Sequence, residues 1–164
     1  MRIEEEIKLD YSDVLFRPKR STLKSRKDVD LNRKYTFKYS KASWKGTPII
    51  ASNMDGVGEI EVAKKLTSHK VMTALTKQHT IDQISLIYKI SDCHKTVALS
   101  CGTSSESYNR LNKILQKFPK FEFICIDVAN GYSENFSHFV SSVRKKYPKK
   151  TIIAGNVVTA DMTQ

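Results

Sequence analysis

The sequence has no apolar stretch approaching the roughly 20 residues that a membrane-spanning helix needs. Residues 1–6 lack the apolar core of a signal peptide and are acidic where a transit peptide would not be. No low-complexity segment or long linker interrupts the chain. These absences exclude a membrane protein and predict a cytoplasmic protein that forms one domain, 1–164.

Glycine and cysteine are scarce, with six and three residues respectively. The turn Gly56-Val57-Gly58 lacks the further glycine of a dinucleotide-binding fingerprint, and no Walker sequence occurs. Cys93, Cys101 and Cys125 fit no zinc or redox spacing, so we predict no metal site. We expect Cys125 to be a core residue and Cys101 to be structural, although its position at a strand end leaves a reactive role open.

Acidic residues are outnumbered by basic ones, 17 against 28, which gives a formal charge of +11. Six of the basic residues fall between Arg17 and Lys27, with no acid among them. Such a cluster would attract phosphate, although a solvated surface strip explains it equally well. The alternative to an enzyme is therefore a phosphate- or nucleic-acid-binding module that uses this cluster. The cluster has no interleaved aromatic residues, which weakens the hypothesis that it binds single-stranded nucleic acid.

Five short apolar runs recur along the chain at a nearly fixed interval. With one reference residue taken in each run, at Ile49, Val71, Val97, Phe123 and Ile152, the spacings are 22, 26, 26 and 29 residues. One helical pattern separates each pair of runs, which is typical of repeated β/α units around a parallel sheet. Because an eight-stranded barrel needs about 250 residues, the chain can form either a complete open sheet or part of a barrel.

The β/α units are predicted to occupy 47–164, after a lead-in over 1–46. Within the lead-in, the alternating residues 35–39 could cap the sheet as a small hairpin or strand. Two capping-box patterns, Thr80 with Gln83 and Thr103 with Glu106, predict helix starts at their threonines.

Polar residues follow the apolar runs, at the predicted carboxyl ends of the strands. In a doubly wound sheet they would surround a Gly-rich turn, to which the sequence is a weak match. In a barrel, Asp55, Lys77, Asp127 and Asn156 would point into one mouth. Lys77 could then reach Asp127, to relay a proton, to hold a ribose hydroxyl, or to form a plain structural ion pair.

Five segments, in matching order and spacing, resemble GMP reductase, the sibling of IMP dehydrogenase in the β/α-barrel class. They are residues 8–15, 17–26, 53–55, 125–133 and 154–159. The run 127–133 separates the reductase from the dehydrogenase. The resemblance covers essentially the whole chain and implies an α/β fold of the (β/α)8 TIM-barrel type, of which about the first five strands are present in an incomplete barrel.

The resemblance implies reductive deamination of GMP to IMP and ammonia, with NADPH as hydride donor. In the family a cysteine thiolate attacks C2 of the purine and expels ammonia before the hydride is accepted. That cysteine lies on a Gly-rich, potassium-binding loop after the sixth strand, and we expect this segment to lie outside the present sequence. The resemblance thus predicts that the chain is inactive alone, holds no potassium, and belongs to a homo-oligomer, a tetramer in the family. It does not favour a nucleic-acid or membrane partner.

Residue roles carry over by position in the resemblance. Lys77 matches a lysine near cofactor and leaving group, and Asp127 a carboxylate suited to cofactor hydroxyls, so both are supporting catalytic residues. Asn53 and Met54 look like purine contacts. Ser25 and Arg26 match a pair that reaches the cofactor from a neighbouring subunit. The full implied NADPH set is Ser25, Arg26, Lys77, Asp127, Val128, Ala129, Asn130, Gly131, Gly155 and Asn156.

Some residues depart from the family pattern. Gly56 and Glu59 stand where threonines are usual, Cys101 where serine or threonine is usual, and Gln78-His79 where histidine and tyrosine are usual. Because Gln78 and His79 are next to Lys77, we expect the environment of the leaving group to differ from that in the family.

Overall fold

The computed structural model describes residues 5, 7 and 9–164, which fall into two compact units, 1–30 and 31–164. The first unit contains two short 3-10 helices, Tyr11–Asp13 and Arg26–Asp28. The side chains of Asp10 and Ser25 cap these helices, each paired with an aspartate that accepts from the cap residue's own N–H. Every residue from Arg17 to Lys27 is exposed.

The second unit is built on a six-stranded sheet whose strands are neighbours in chain order. The strands are β1 Arg33–Thr36, β2 Ser43–Ala51, β3 Val71–Leu75, β4 Val97–Cys101, β5 Phe123–Asp127 and β6 Thr151–Gly155. Strands β2 to β6 run parallel, and β1 pairs antiparallel with β2. The five apolar runs are therefore confirmed as parallel strands, and the sheet is not closed into a barrel.

Helices cover one face of the sheet. They are α1 Ile60–Ser68, α2 Ile81–Tyr88, α3 Cys93–Thr96, α4 Ser105–Lys117, α5 Glu134–Lys146 and α6 Ala160–Thr163. Alternate strand residues such as Leu99 and Ile124 pack with these helices, whereas Ala98 and Phe123 belong to a separate cluster on the other face. In the part of the chain that the structure describes, no helix is long and apolar enough to cross a membrane.

The two predicted capping boxes have different outcomes. At α2 the prediction is confirmed, because Thr80 Oγ1 accepts from Gln83 N and Gln83 Oε1 accepts from Thr80 N. At α4 it is wrong by one residue, since Ser104 is the cap and accepts from Ser107 N. Serine caps a helix as well as threonine does, so the sequence pattern alone could not choose between them.

The hairpin of β1 and β2 lies across the amino-terminal ends of β5 and β6. Phe37 packs edge-on against Phe123, the first residue of β5, with ring centroids 5.6 Å apart. Ser40 Oγ lies 2.8 Å from the hydroxyl of Thr151, the first residue of β6. The first part of β2 pairs with β1 and the second part with β3, so the hairpin extends beyond the amino-terminal end of β3. The pairing of β2 with β3 shifts register between Thr47 and Ile50.

Candidate functional site

A cavity of about 720 Å³ opens at the carboxyl ends of β3, β4 and β5. The structure brings Lys77, Asp127, Val128 and Ala129, four of the predicted cofactor residues, to this one cavity. Its remaining lining residues are Gly102, Thr103, Ser104, Glu106, Ser107 and Arg110. The cavity therefore combines two cationic and two anionic side chains with backbone groups and hydroxyls.

Lys77 and Asp127 are both exposed, and within the described residues no ion pair joins them. Lys77 lies in the turn after β3, and Asp127 is the last residue of β5, where it pairs with Gly155. Both charged groups can therefore act on a ligand in the cavity.

A set of side-chain contacts holds the loop that carries Lys77. His79 is buried, and its Nε2 lies 3.0 Å from the carbonyl oxygen of Gly58 and 3.5 Å from Glu59 Oε2. From the other side, Arg110 donates a hydrogen bond to the carbonyl oxygen of His79. Two of the departures from the family pattern, Glu59 and His79, thus contact each other and link the β2–α1 loop to the β3–α2 loop.

Arg110 was not among the residues predicted from the sequence. It lies on α4 and is half-buried, and burial lowers the pKa of its guanidinium. Arginine nevertheless stays charged at neutral pH, so it supplies the second cation of the cavity. Its helix was predicted from a capping box and from a helical apolar pattern, and neither gives a signal for a polar residue that reaches the cavity.

The three cysteines are buried and protonated at neutral pH. Burial raises the pKa of Cys93 to about 11 and that of Cys101 to about 12. Burial also raises the pKa of Cys125. No group of three His, Cys, Asp or Glu side chains in the described part of the chain is arranged to hold a metal.

The loops after β5 and β6 are joined by backbone hydrogen bonds. Val128 N donates to Gly155 O, Asn156 N to Val128 O and Gly131 N to Asn156 O, at 2.9 to 3.0 Å. A Cβ added to Gly131 would lie 2.5 Å from the carbonyl oxygen of Asn156. The glycine is thus required by the close approach of the two loops.

A smaller cavity of about 360 Å³ lies between the ends of β5 and β6. Asp127, Gly155 and Asn156 contribute to its wall. Because Asp127 borders both cavities, a ligand that spans them would meet its carboxylate.

Tyr132 is a second residue that the site prediction missed. Its hydroxyl accepts from the N–H groups of Val158 and Thr159, at 2.7 and 2.8 Å, and donates to Thr159 Oγ1 at 3.2 Å. Hydrogen bonds with the Thr159 side chain and with the N–H groups of Val158 and Thr159 lower the pKa of Tyr132, because N–H donors stabilise the phenolate. Its own N–H donates to Asn130 Oδ1, at 2.9 Å, so another predicted cofactor residue has a role within the loop. The sequence signal that could have identified Tyr132 was its place inside the motif 125–133.

Other predicted residues lie elsewhere. Asn53 and Met54 follow β2 in a turn where the Met54 carbonyl accepts from Gly58 N at 2.8 Å, and neither residue lines the two cavities. Ser25 and Arg26 belong to the unit 1–30, in which Ser25 Oγ accepts from Lys27 N at 3.3 Å.

Parallel strands with helices on one face, and polar loops gathered at their carboxyl ends, define an incomplete β/α barrel. A family model described as IMP dehydrogenase / GMP reductase domain matches residues 8–164. The chain belongs to this family.

Similar proteins include the GMP reductases of Caenorhabditis elegans and Vibrio atlanticus. They are 48% and 52% identical over 99% and 100% of this chain, but the aligned part covers only 46% and 48% of each relative. A crystal structure of inosine 5' monophosphate dehydrogenase from Legionella pneumophila superimposes with a TM-score of 0.71 and 26% identity, over 90% of this chain and 44% of that one. The chain thus spans about half the length of the curated relatives it matches.

Proposed function

We propose that this chain is the amino-terminal part of an NADPH-dependent GMP reductase, which converts GMP to IMP and ammonia in purine nucleotide interconversion. The observation that carries the proposal is the position of Asp127. It lies in the segment whose sequence resembles the reductase, and it borders both cavities at the carboxyl ends of the strands.

The residues of the larger cavity fit a dinucleotide. Asp127 can accept hydrogen bonds from ribose hydroxyls, since a carboxylate is an acceptor at both oxygens. Lys77 and Arg110 can face phosphate groups, which carry the opposite charge. NADPH would supply the hydride, and the task of these side chains is to bind and orient it.

Lys77 also has a role to play at the leaving group. Its ammonium can donate a proton or a hydrogen bond to the departing amine, provided that the substrate lies within reach of the turn after β3. The contacts of His79 and Arg110 with this loop would keep the ammonium in place.

None of the three cysteines is suited to attack the purine. The nucleophile of such a reaction is a thiolate, and burial raises the pKa of all three thiols. We therefore propose that the nucleophile and the potassium loop belong to segments outside these 164 residues, and that the chain alone does not turn over. A cytoplasmic tetramer is part of the same proposal and rests on the family.

Binding and turnover test the proposal separately. The fluorescence of NADPH should change on titration with the chain, and NADH should bind more weakly. Asp127→Asn should weaken NADPH binding by about tenfold or more, because a hydrogen bond to a charged group is lost. Asp82→Asn, on the exposed start of α2, is the matched control and should leave binding unchanged.

GMP-dependent loss of NADPH absorbance should occur only in a longer chain that includes the remaining barrel strands. Consumption of NADPH by the 164-residue chain would overturn the assignment of the nucleophile to another segment, and Cys101 would then be the first residue to replace. Equal binding by the Asp127→Asn and unaltered chains would overturn the assignment of Asp127.

A further inference from the structure

Basic and aromatic residues alternate along the β1–β2 hairpin. Lys34, Lys38, Lys41 and Lys45 are all exposed, and no acidic residue occurs between positions 31 and 54. Two tyrosines lie among them, 45% and 68% exposed, at positions 35 and 39. The hairpin therefore has the interleaved aromatic residues that the cluster 17–27 lacks.

The hairpin is part of a larger basic surface at the amino-terminal ends of the strands, opposite to the two ligand cavities. Exposed lysines occur in the connections that enter β3, β4, β5 and β6, namely Lys70, Lys95, Lys120 and Lys149. The contacts of Phe37 with Phe123 and of Ser40 with Thr151 place the hairpin at this same end. We call these eight lysines, together with Tyr35 and Tyr39, the basic face.

Helix ends explain only part of this charge. Lysines near helix carboxyl termini offset the helix dipole, and Lys95 of the basic face does so in the last turn of α3. The hairpin contains no helix, so its four lysines have no dipole to offset.

Within the hairpin, Lys34 and Lys45 are direct cross-strand partners. Like charges directly opposite each other destabilise an antiparallel pair. A bound polyanion would relieve this repulsion, because its phosphates would lie close to both ammonium groups.

A cavity of about 630 Å³ opens on the same face, beside the start of β3. Four lysines line it, and two of them have acidic partners: Lys64 with Glu61 at 2.5 Å, and Lys95 with Asp92 at 3.6 Å. The other two lysines of the cavity wall are Lys45 and Lys70. The cavity therefore keeps a positive balance suited to phosphate groups.

The rings of the two tyrosines are suited to stacking on nucleic-acid bases. Tyr35 stacks on Trp44 with ring centroids 6.2 Å apart, which fixes its plane while 45% of the residue stays exposed. Lys38 Nζ lies 5.3 Å from the ring centroid of Tyr39. Adjacent strand residues point to opposite faces, so Tyr35 lies on one face of the hairpin and Lys34 and Lys45 on the other. Tyr39 lies in the turn between Lys38 and Lys41. An unpaired strand that crosses the turn can stack its bases on these rings while the lysines contact its backbone.

We propose that the basic face binds single-stranded nucleic acid. An acidic protein surface would match the charge but would make no use of the exposed rings, and a duplex would keep its bases stacked inside. The proposal is independent of the reductase function, because the basic face and the ligand cavities lie at opposite ends of the sheet.

Fluorescence anisotropy with a labelled single-stranded RNA of about 20 nucleotides tests the proposal. We expect binding whose affinity falls with salt, by about 0.7 logarithmic units per tenfold change in salt for each phosphate contacted. The same duplex sequence and polyglutamate are the competitors. A preference for the duplex, or equal displacement by polyglutamate, would overturn the proposal.

Two pairs of variants locate the surface. Lys34→Glu should weaken RNA binding by about fivefold or more, whereas Lys19→Glu, with the same charge change in the cluster 17–27, should have little effect. Tyr39→Ala should weaken binding by about fivefold or more and Tyr39→Phe should not, because the ring supplies the stacking. A larger effect from Lys19→Glu, or equal binding by both Tyr39 variants, would contradict the assignment. Lys34→Glu should leave NADPH binding unchanged.

Discussion

Tyr132 links two loops of the candidate site through one hydroxyl group. In Tyr132→Phe the N–H groups of Val158 and Thr159 lose their acceptor, although water can replace it because both are exposed. We expect NADPH binding to weaken by about three- to tenfold, with a stability loss of about 1 kcal/mol or less. Tyr147→Phe is the control, since its hydroxyl donates to Asn112 far along the chain. Equal NADPH affinities for these two variants would contradict a positioning role for Tyr132.

Gly131 and Gly102 form a matched pair for steric replacement. An added Cβ would lie 2.5 Å from Asn156 O at Gly131, but at Gly102 its nearest neighbour would be Ser107 Oγ, at 3.8 Å. Gly131→Ala should therefore reduce the free energy of unfolding by about 1–3 kcal/mol, as overpacking does. Gly102→Ala should change it much less. Urea unfolding measures both, and equal losses would mean that the loops separate freely.

The buried thiols should be unreactive in the native chain. Because burial raises the pKa of Cys93 to about 11 and that of Cys101 to about 12, their thiolate forms are scarce at neutral pH. Ellman's reagent should modify no cysteine rapidly in the folded chain, and all three after unfolding. As pH rises towards these values the thiolates form, so native reactivity should increase only in strong alkali. A fast-reacting thiol at neutral pH would refute this account.

The residues of the site were predictable to different degrees. Lys77 and Asp127 could be found because residues that follow parallel strands gather at one edge of the sheet. Arg110 could not, because it reaches the cavity from a helix whose sequence pattern marks only the apolar side. The bonds of Tyr132 join positions 26 and 27 residues apart, and no local pattern specifies such a distance.

The β1–β2 hairpin contains a repulsion that one substitution should remove. Lys34→Glu would place a carboxylate opposite Lys45, and opposite-charge pairs across strands contribute about 0.2–1 kcal/mol. We expect a higher thermal midpoint for this variant. Lys38→Glu is the control, because Lys38 lies beyond β1 and has no partner in its ladder with β2. A lower midpoint for Lys34→Glu would contradict the pairing.

Secondary structure followed from the sequence where its signal was repeated. Strands β2 to β6 were recognisable because each contains a short apolar run and the runs recur at a regular interval. Helix α3 was not, because its four residues are too few to show a period. The register shift between Thr47 and Ile50 was also hidden, since the apolar pattern of β2 carries no sign of it.

The open sheet exposes apolar residues at its β2 side. Ile49 and Ile50 are 60% and 47% exposed, and β1 does not pair with this second part of β2. A free strand edge with exposed apolar residues favours association. We expect the chain to self-associate as its concentration rises, as measured by light scattering after size exclusion. Ile49→Lys should reduce this association, and Val158→Lys, at a still more exposed position outside the sheet, should not. A monomer at all concentrations would contradict the expectation.

The contact between Ser40 and Thr151 joins residues 111 positions apart. During synthesis, the hairpin that ends at Ala51 is complete long before Thr151 and the rest of β6 emerge. Closing so long a loop has an entropic cost that grows with the logarithm of its length. Contacts between the hairpin and β6 can offset this cost only after β6 has formed. The aromatic side chains of the hairpin therefore stay exposed until β6 has been synthesised, and docking of the hairpin is expected to be a late event in folding.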